Sequence, residues 1–341
     1  MLSMLQCAND GGLDTYAIGF IYQPPHYLSQ YFTTSIGLQS STYLGMEVRR
    51  DRDASSITLT QTVYIEKIFG KYLSGSNTKT WTMPIDLGRE GVNKFYSIKP
   101  AESEKEINEM SGKDFNGLLG SLLYASCMTR PDIAFLTAYL CQFMQAPTLQ
   151  AWEAALSITS YLNATKEYGI TFNAQPESCC ASEIDLRKKR LVVFSDASFG
   201  RDIHPFAGGF VQWRNGPISW LSRKAKFVPQ SSCEIEVFAV VMVLKEAEFA
   251  AQVLEFVNAR LEAPTACITD NKAACDVIKY PGATKRTLHF DRWLHFAREL
   301  CLANKIQIFL VGTDDMMADG FTKPVDKTKF LKCREYILTK A

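Results

Sequence analysis

Histidine is scarce in this 341-residue chain, with four in all, and the ten cysteines never fall into a Cys-x-x-Cys pair. Without tandem Cys/His pairs no zinc site is expected, and the adjacent Cys179 and Cys180 cannot easily form a structural bridge. No apolar run approaches the ~18 residues of a membrane span, and the opening "MLSMLQCANDGG" turns polar too soon for a signal peptide. These absences point to a reduced, intracellular protein, cytoplasmic or nuclear, with no membrane partner. A charge field of one sign is missing as well. The 37 Lys and Arg against 36 Asp and Glu leave a net charge of +1, so a nucleic-acid site must be a local patch. What is present, 47% hydrophobic and 21% charged residues, suffices for ordinary cores in two or three domains of ~100–200 residues each.

Four segments separate by pattern. Residues 1–90 carry short β-type runs such as "STYLGMEV" and "SSITLTQTVYIEKIF", which pass into a helical pattern near Tyr64. Residues 91–172 are mostly helical, with Pro131 of "TRPD" as a helix-start residue. Residues 173–189 are polar and read as an exposed linker, ending in the basic run that continues to Arg190. Residues 190–341 read as strand, strand, strand, helix, strand, helix, helix, strand, helix, with a hairpin turning at Asn215-Gly216 and a closing helix in "KTKFLKCREYIL". That order implies an α/β domain with a mixed five-stranded sheet and flanking helices.

Within that last segment, "LVVFSDASFG" drives a buried strand straight into Asp196, and "TACITDN" repeats the pattern at Asp270. Either aspartate alone is a good turn or helix-cap residue. With the two strands as parallel neighbours, both acids end side by side, where ligand sites of α/β sheets lie. On the long helix between them, the stripe from Glu236 through Val240, Val243, Ala247 and Leu254 is apolar, whereas the stripe from Glu234 becomes polar. Glu236 is therefore placed at the head of the buried face and Glu234 on the wetter one. A further acid, Asp319 in "GTDDMMADGFTKP", can fold back over the sheet edge. Oxygen donors with no His or Cys among them suit Mg²⁺ or Mn²⁺. Two such ions ~4 Å apart can activate a water and stabilise the leaving oxygen of a phosphodiester.

These residues carry a family resemblance. Leu191 to Ile337, through "FSDASFG", "GGFVQWRNGPISWLSRKAKFVPQSSCEIEVFA", "ITDNKAA", "RTLHFDRWLHFARE" and "ADGFTKP", resembles the ribonuclease H domain of Ty1/copia-type retrotransposon polyproteins. Upstream, "YLGMEVRRD", "TMPID", "GLLGSLLYASCMTRPDIAF" and "EYGITF" resemble the end of the reverse transcriptase and its connection segment. The resemblance implies a truncated palm end and thumb in residues 1–90 and a helical thumb and connection in 91–172, followed by a ribonuclease H-like domain in 190–341. It puts the four metal-binding catalytic acids on Asp196, Glu236, Asp270 and Asp319, and implies endonucleolytic hydrolysis of the RNA strand of an RNA–DNA hybrid with two Mg²⁺ or Mn²⁺ ions. The aromatic-x-Asp-Asp hairpin of the family's polymerase does not precede "YLGMEV", so reverse transcription is not expected.

A hybrid is held through its backbone, groove shape and 2′-hydroxyls. Ser231, Ser232, Asn271, Arg223 and Lys224 are the candidate substrate contacts, with Lys226 beside them and Trp220 able to stack or pack. His204, His289 and His295 receive no catalytic role, and His289 reads as a packing or surface residue. Other element-encoded proteins are candidate partners. The alternative function is a non-catalytic nucleic-acid-binding relic of such a polyprotein. A transposase or integrase fits less well, because the helix glutamate and the fourth acid argue against it.

Overall fold

The computed structural model describes residues 42–74, 82–173, 184, 190–200, 204–280 and 288–341. Residues 1–41 of the first segment, Cys179 and Cys180, and all of the 173–189 linker except Asn173 and Ile184 lie outside the described residues.

Among the described residues the upstream half opens with three short strands, β1 (Thr42–Tyr43), β2 (Met46–Asp51) and β3 (Ser56–Thr60). Six α-helices follow among the described residues: α1 (Thr62–Leu73), α2 (Arg89–Tyr96), α3 (Glu104–Glu109), α4 (Phe115–Met128), α5 (Ala134–Leu140) and α6 (Leu149–Ala164). The expected helical segment then ends in a strand, β4 (Tyr168–Asn173). The downstream half contains β5 (Val192–Ala197), β6 (Phe206–Trp213), β7 (Gly216–Lys224), α7 (Ser232–Phe256), β8 (Thr265–Thr269), α8 (Lys272–Lys279), α9 (Asp291–Leu302), β9 (Ile306–Leu310), α10 (Lys327–Ile337) and β10 (Thr339–Lys340).

Two five-stranded sheets result. The first is antiparallel in the order β1-β2-β3-β4-β10. The second, β7-β6-β5-β8-β9, is mixed: β5 runs antiparallel to β6 and parallel to β8, and β8 runs parallel to β9. This is the α/β sheet expected from the order of elements. β5 is buried along its whole length, which is why its sequence reads as a continuous apolar run rather than an alternation.

Two expectations about the chain path are corrected. The hairpin turns at Arg214-Asn215, both with positive φ (49° and 67°), one residue earlier than the Asn-Gly pair suggested. Two left-handed residues give the twist a two-residue hairpin needs, and Gly216 serves a different end. A Cβ there would lie 2.4 Å from the Phe172 ring, so its hydrogen lets β4 pack against β7. The chain also does not end as a helix. Leu338 leaves α10 extended and buried, and Thr339–Lys340 pair with β4, giving that strand a partner along its otherwise unpaired edge.

The cores of the two halves are continuous. Met46, Ile57, Leu59, Ile170 and Phe172 of the first sheet belong to the same buried cluster as Phe194, Trp213, Val240 and Ile268 of the second half. A second cluster fills the helical region and takes in Phe206 and Phe330 from downstream. Among the described residues no helix is long and apolar enough to cross a membrane.

Candidate metal centre

The backbone register brings the two strand-end aspartates together. β5 pairs with β8 as Val192 with Ala266, Val193 with Cys267 and Phe194 with Ile268; carried on, that offset sets Asp196 level with Asp270. Glu236 arrives from α7, whose start is fixed by the Ser231 hydroxyl accepting the Glu234 N–H at 3.1 Å. Asp196, Glu236 and Asp270 each offer one oxygen, all within 4.8 Å of one another.

Asp319 stands beyond these three, in a tight turn at Asp319–Phe321. The turn approaches the sheet at Gly208, the cross-strand partner of Asp196. A Cβ on Gly208 would sit 2.6 Å from the Leu221 carbonyl oxygen and 2.9 Å from that of Phe321, so this glycine is what lets the turn close over the strand. Lys323 then joins the two acids, its Nζ 3.3 Å from Asp196 Oδ2 and 2.7 Å from Asp319 Oδ1. Lys329 reaches the other Asp319 oxygen at 3.2 Å, and the Thr322 hydroxyl donates to Asp196 Oδ2.

The electrostatics follow from burial. Asp196 is 1% exposed and Glu236 7%. Burial raises the Asp196 carboxyl to about 6, with Asp319 and Asp270 adding to the rise and Lys323 and Thr322 opposing it. Burial and then the neighbouring Asp196 and Asp270 push Glu236 well above the usual carboxylate range. The ammonium of Lys323 is disfavoured by its own burial, and the Asp196 and Asp319 carboxylates more than reverse that, holding it above its ordinary value. Glu236 Oε2 is buried and takes no hydrogen bond from any described residue, a costly state for a carboxylate oxygen. An oxygen-only donor set that leaves the buried Glu236 Oε2 without a hydrogen bond fits a hard divalent cation.

The other acid near the start of α7 behaves differently from its expected place on the wetter stripe. Glu234 is buried as well, at 5% exposure. It accepts the Gln230 N–H at 2.6 Å and lies 3.2 Å from His289 Nε2. A helical wheel describes only the helix, and here the chain before α7 and the short turn at Leu288–Phe290 cover its first turn. His289 is thus a partner for a buried acid.

The candidate substrate residues divide. Ser231 and Asn271 are spent as helix caps, Asn271 accepting the Ala274 N–H at 2.9 Å, while Ser232 is exposed. Arg223 is exposed and pairs with Ala207, which pairs with Ala197 beside Asp196. It therefore lies at the same sheet end as the acids, two strands or ~10 Å across. Lys224 Nζ donates instead to Gln142 Oε1 of the helical region. The sequence reading missed Thr322, Lys323 and Lys329, although the spacing of Lys323 four residues after Asp319 was a signal that an ion pair could form.

No known family profile matches the chain. Individual relatives do. The retrovirus-related Pol polyprotein from transposon TNT 1-94 of Nicotiana tabacum is 27% identical over 297 residues, covering 86% of this chain and 21% of the polyprotein. That from transposon RE1 of Arabidopsis thaliana is 30% identical over 220 residues, covering 64% of this chain and 14% of the polyprotein. Over much of its length this chain is thus similar to retrovirus-related Pol polyproteins of copia-type transposons. The chain spans about a fifth or less of the length of those relatives. Among solved structures, the N-terminal RNase H domain of a Mycobacterium tuberculosis protein, fused to maltose-binding protein, aligns with 43% of this chain and 97% of its own at 12% identity and a TM-score of 0.29.

Proposed function

We propose that this Pol-related chain is a ribonuclease H-type endonuclease, hydrolysing the RNA strand of RNA–DNA hybrids at the centre built from Asp196, Glu236, Asp270 and Asp319. The observation that carries the reading is the convergence of three carboxylates at the ends of two parallel strands and the head of one helix, with a buried Glu236 oxygen lacking a partner. Mg²⁺ or Mn²⁺ ions held there would supply an activated water and charge stabilisation at the leaving oxygen. The chain's own residues do the rest. Thr322 fixes the orientation of Asp196. Exposed Arg223 and Ser232 flank the acids where a phosphate backbone would pass, and a 2′-hydroxyl is what distinguishes the RNA strand there. The upstream half, in this reading, is the end of a reverse transcriptase with its thumb and connection.

A second reading has an observation of its own. Asp319 already has a lysine on each oxygen, which favours a relic that binds hybrids without cutting them. The test is Mg²⁺-dependent cleavage of a labelled RNA–DNA hybrid, with Asp270→Asn as the control. Cleavage by the original chain, lost in the variant and absent on duplex DNA, is the expected result. Hybrid binding with no cleavage in Mg²⁺ or Mn²⁺ would overturn the nuclease reading and leave the relic.

A further inference from the structure

Lys323 has an unusual place for a lysine in a centre made of acids. Its ammonium lies between Asp196 Oδ2 (3.3 Å) and Asp319 Oδ1 (2.7 Å), where a cation shared by those two carboxylates would sit. The backbone under it is held, since the Lys323 N–H donates to the Asp319 carbonyl at 3.2 Å. The side chain is not buried with its partners: it is 38% exposed, against 2% and 3% for the side chains of Asp196 and Asp319. A flexible four-carbon stem with its head near water can change rotamer without moving the turn. Lys329 differs on both counts. Its side chain is 11% exposed and it also donates to the Thr313 carbonyl, so it stays with Asp319.

We propose that Lys323 is the resident cation of this centre: it neutralises Asp196 and Asp319 when metal is absent, and it must swing out before a divalent ion can bridge them. The inference rests on the metal centre proposed above. It makes the two ion sites unequal. The Asp196–Glu236–Asp270 side, where Lys323 pairs with Asp196 alone of the three acids and the buried Glu236 Oε2 takes no hydrogen bond, fills first. The Asp319 side fills only by displacing an ammonium, so its affinity carries the cost of separating that ion pair. Lys323 is in this sense a positioning residue, setting how many ions are held at a given concentration.

The test is Mn²⁺ binding to the full chain, by calorimetry and by the paramagnetic signal of bound ion, on wild type, Lys323→Met and Lys323→Arg. Wild type should bind one ion tightly and a second at least about tenfold more weakly, because a fixed positive charge a few ångströms away opposes it. Lys323→Met should strengthen the second site by about tenfold, and Lys323→Arg should keep it weak. In EDTA, Lys323→Met should melt below wild type and recover with Mn²⁺, a recovery that a merely structural lysine would not give. Two equal tight sites in wild type would overturn the proposal, and this holds even if Lys323→Met fails to fold. An unchanged isotherm in Lys323→Met would overturn it too, leaving the metal centre itself intact. No Mn²⁺ bound by any of the three would overturn the metal centre and this inference together.

Discussion

Asp196 gives the sharpest prediction, because its role in the centre and its effect on stability have opposite signs. Its carboxyl is raised from 3.8 to about 6, chiefly by burial. For an acid, a raised folded-state value means that the native chain holds the proton more tightly than the unfolded chain does. Stability contributed by this group therefore falls as pH rises from 3.8 towards 6 and is flat above that. At about 1.4 kcal/mol per pKa unit, the ionised native carboxylate costs about 3 kcal/mol at neutral pH. Asn mimics the protonated acid, can still accept the Thr322 hydroxyl, and leaves Lys323 its partner in Asp319. Asp196→Asn should then be more stable than wild type in EDTA at pH 8, by about 1–3 kcal/mol after allowing for the weakened Lys323 contact. The assay is the thermal midpoint by circular dichroism at pH 8, 6 and 4. The expected gain is several degrees at pH 8, shrinking through pH 6 and gone near pH 4. Adding Mg²⁺ should reverse the order, since only wild type gains from binding. A variant less stable than wild type at pH 8 in EDTA, or a gap that does not change with pH, would refute the reasoning.

Other substitutions separate the parts of the site and the fold. Gly208→Ala should push the Asp319 turn off the sheet, costing about 1–3 kcal/mol and most of the hybrid cleavage; cleavage at the wild-type rate would show that the turn does not need this approach. Glu236→Gln should abolish Mg²⁺-dependent cleavage while Glu234→Gln retains it, a direct comparison on one gel that fails if the two variants behave alike. Arg130 is fully buried on Asp132 at 2.7 Å, and Tyr161 donates to the same carboxylate, so Asp132→Ala should cost about 3–5 kcal/mol in urea unfolding. Residues 190–341 expressed alone should melt well below the full chain or aggregate, because β4 and the first-sheet residues Ile57, Leu59 and Phe172 share their core; a monomer with the full chain's midpoint would contradict this.

Much of the centre could be read from the sequence because its parts follow from local periodicity. Two apolar strands ending on acids, if parallel neighbours, put Asp196 and Asp270 together, and the β5–β8 register does this. The helical stripe selected Glu236, and it is this glutamate that joins the aspartates. The residues that escaped notice act through contacts that local periodicity cannot report. Thr322 and Lys323 reach Asp196 across more than a hundred residues. The burial of Glu234 comes from segments outside its helix. A two-residue strand such as β10 has no period at all, and only the edge of β4 gives it a partner.

The features that were missed share a physical purpose, which links fold and site. Bringing Asp196 and Glu236 into a buried place near a third acid is unfavourable by itself, as the raised values of both show. Lys323, Thr322 and the Lys329–Asp319 pair oppose that repulsion by direct contact between Asp196 and Asp319, and Lys323 reaches Glu236 only through its charge. On the Glu236 side the only opposing charge among the described residues is the same Lys323, already paired with Asp196 and Asp319, and the Glu236 Oε2 takes no hydrogen bond from those residues. The surrounding core, continuous across both sheets, keeps the acids from relaxing apart. An incompletely compensated carboxylate held in place by rigid packing is a poor choice for stability and a good one for capturing a small, hard cation.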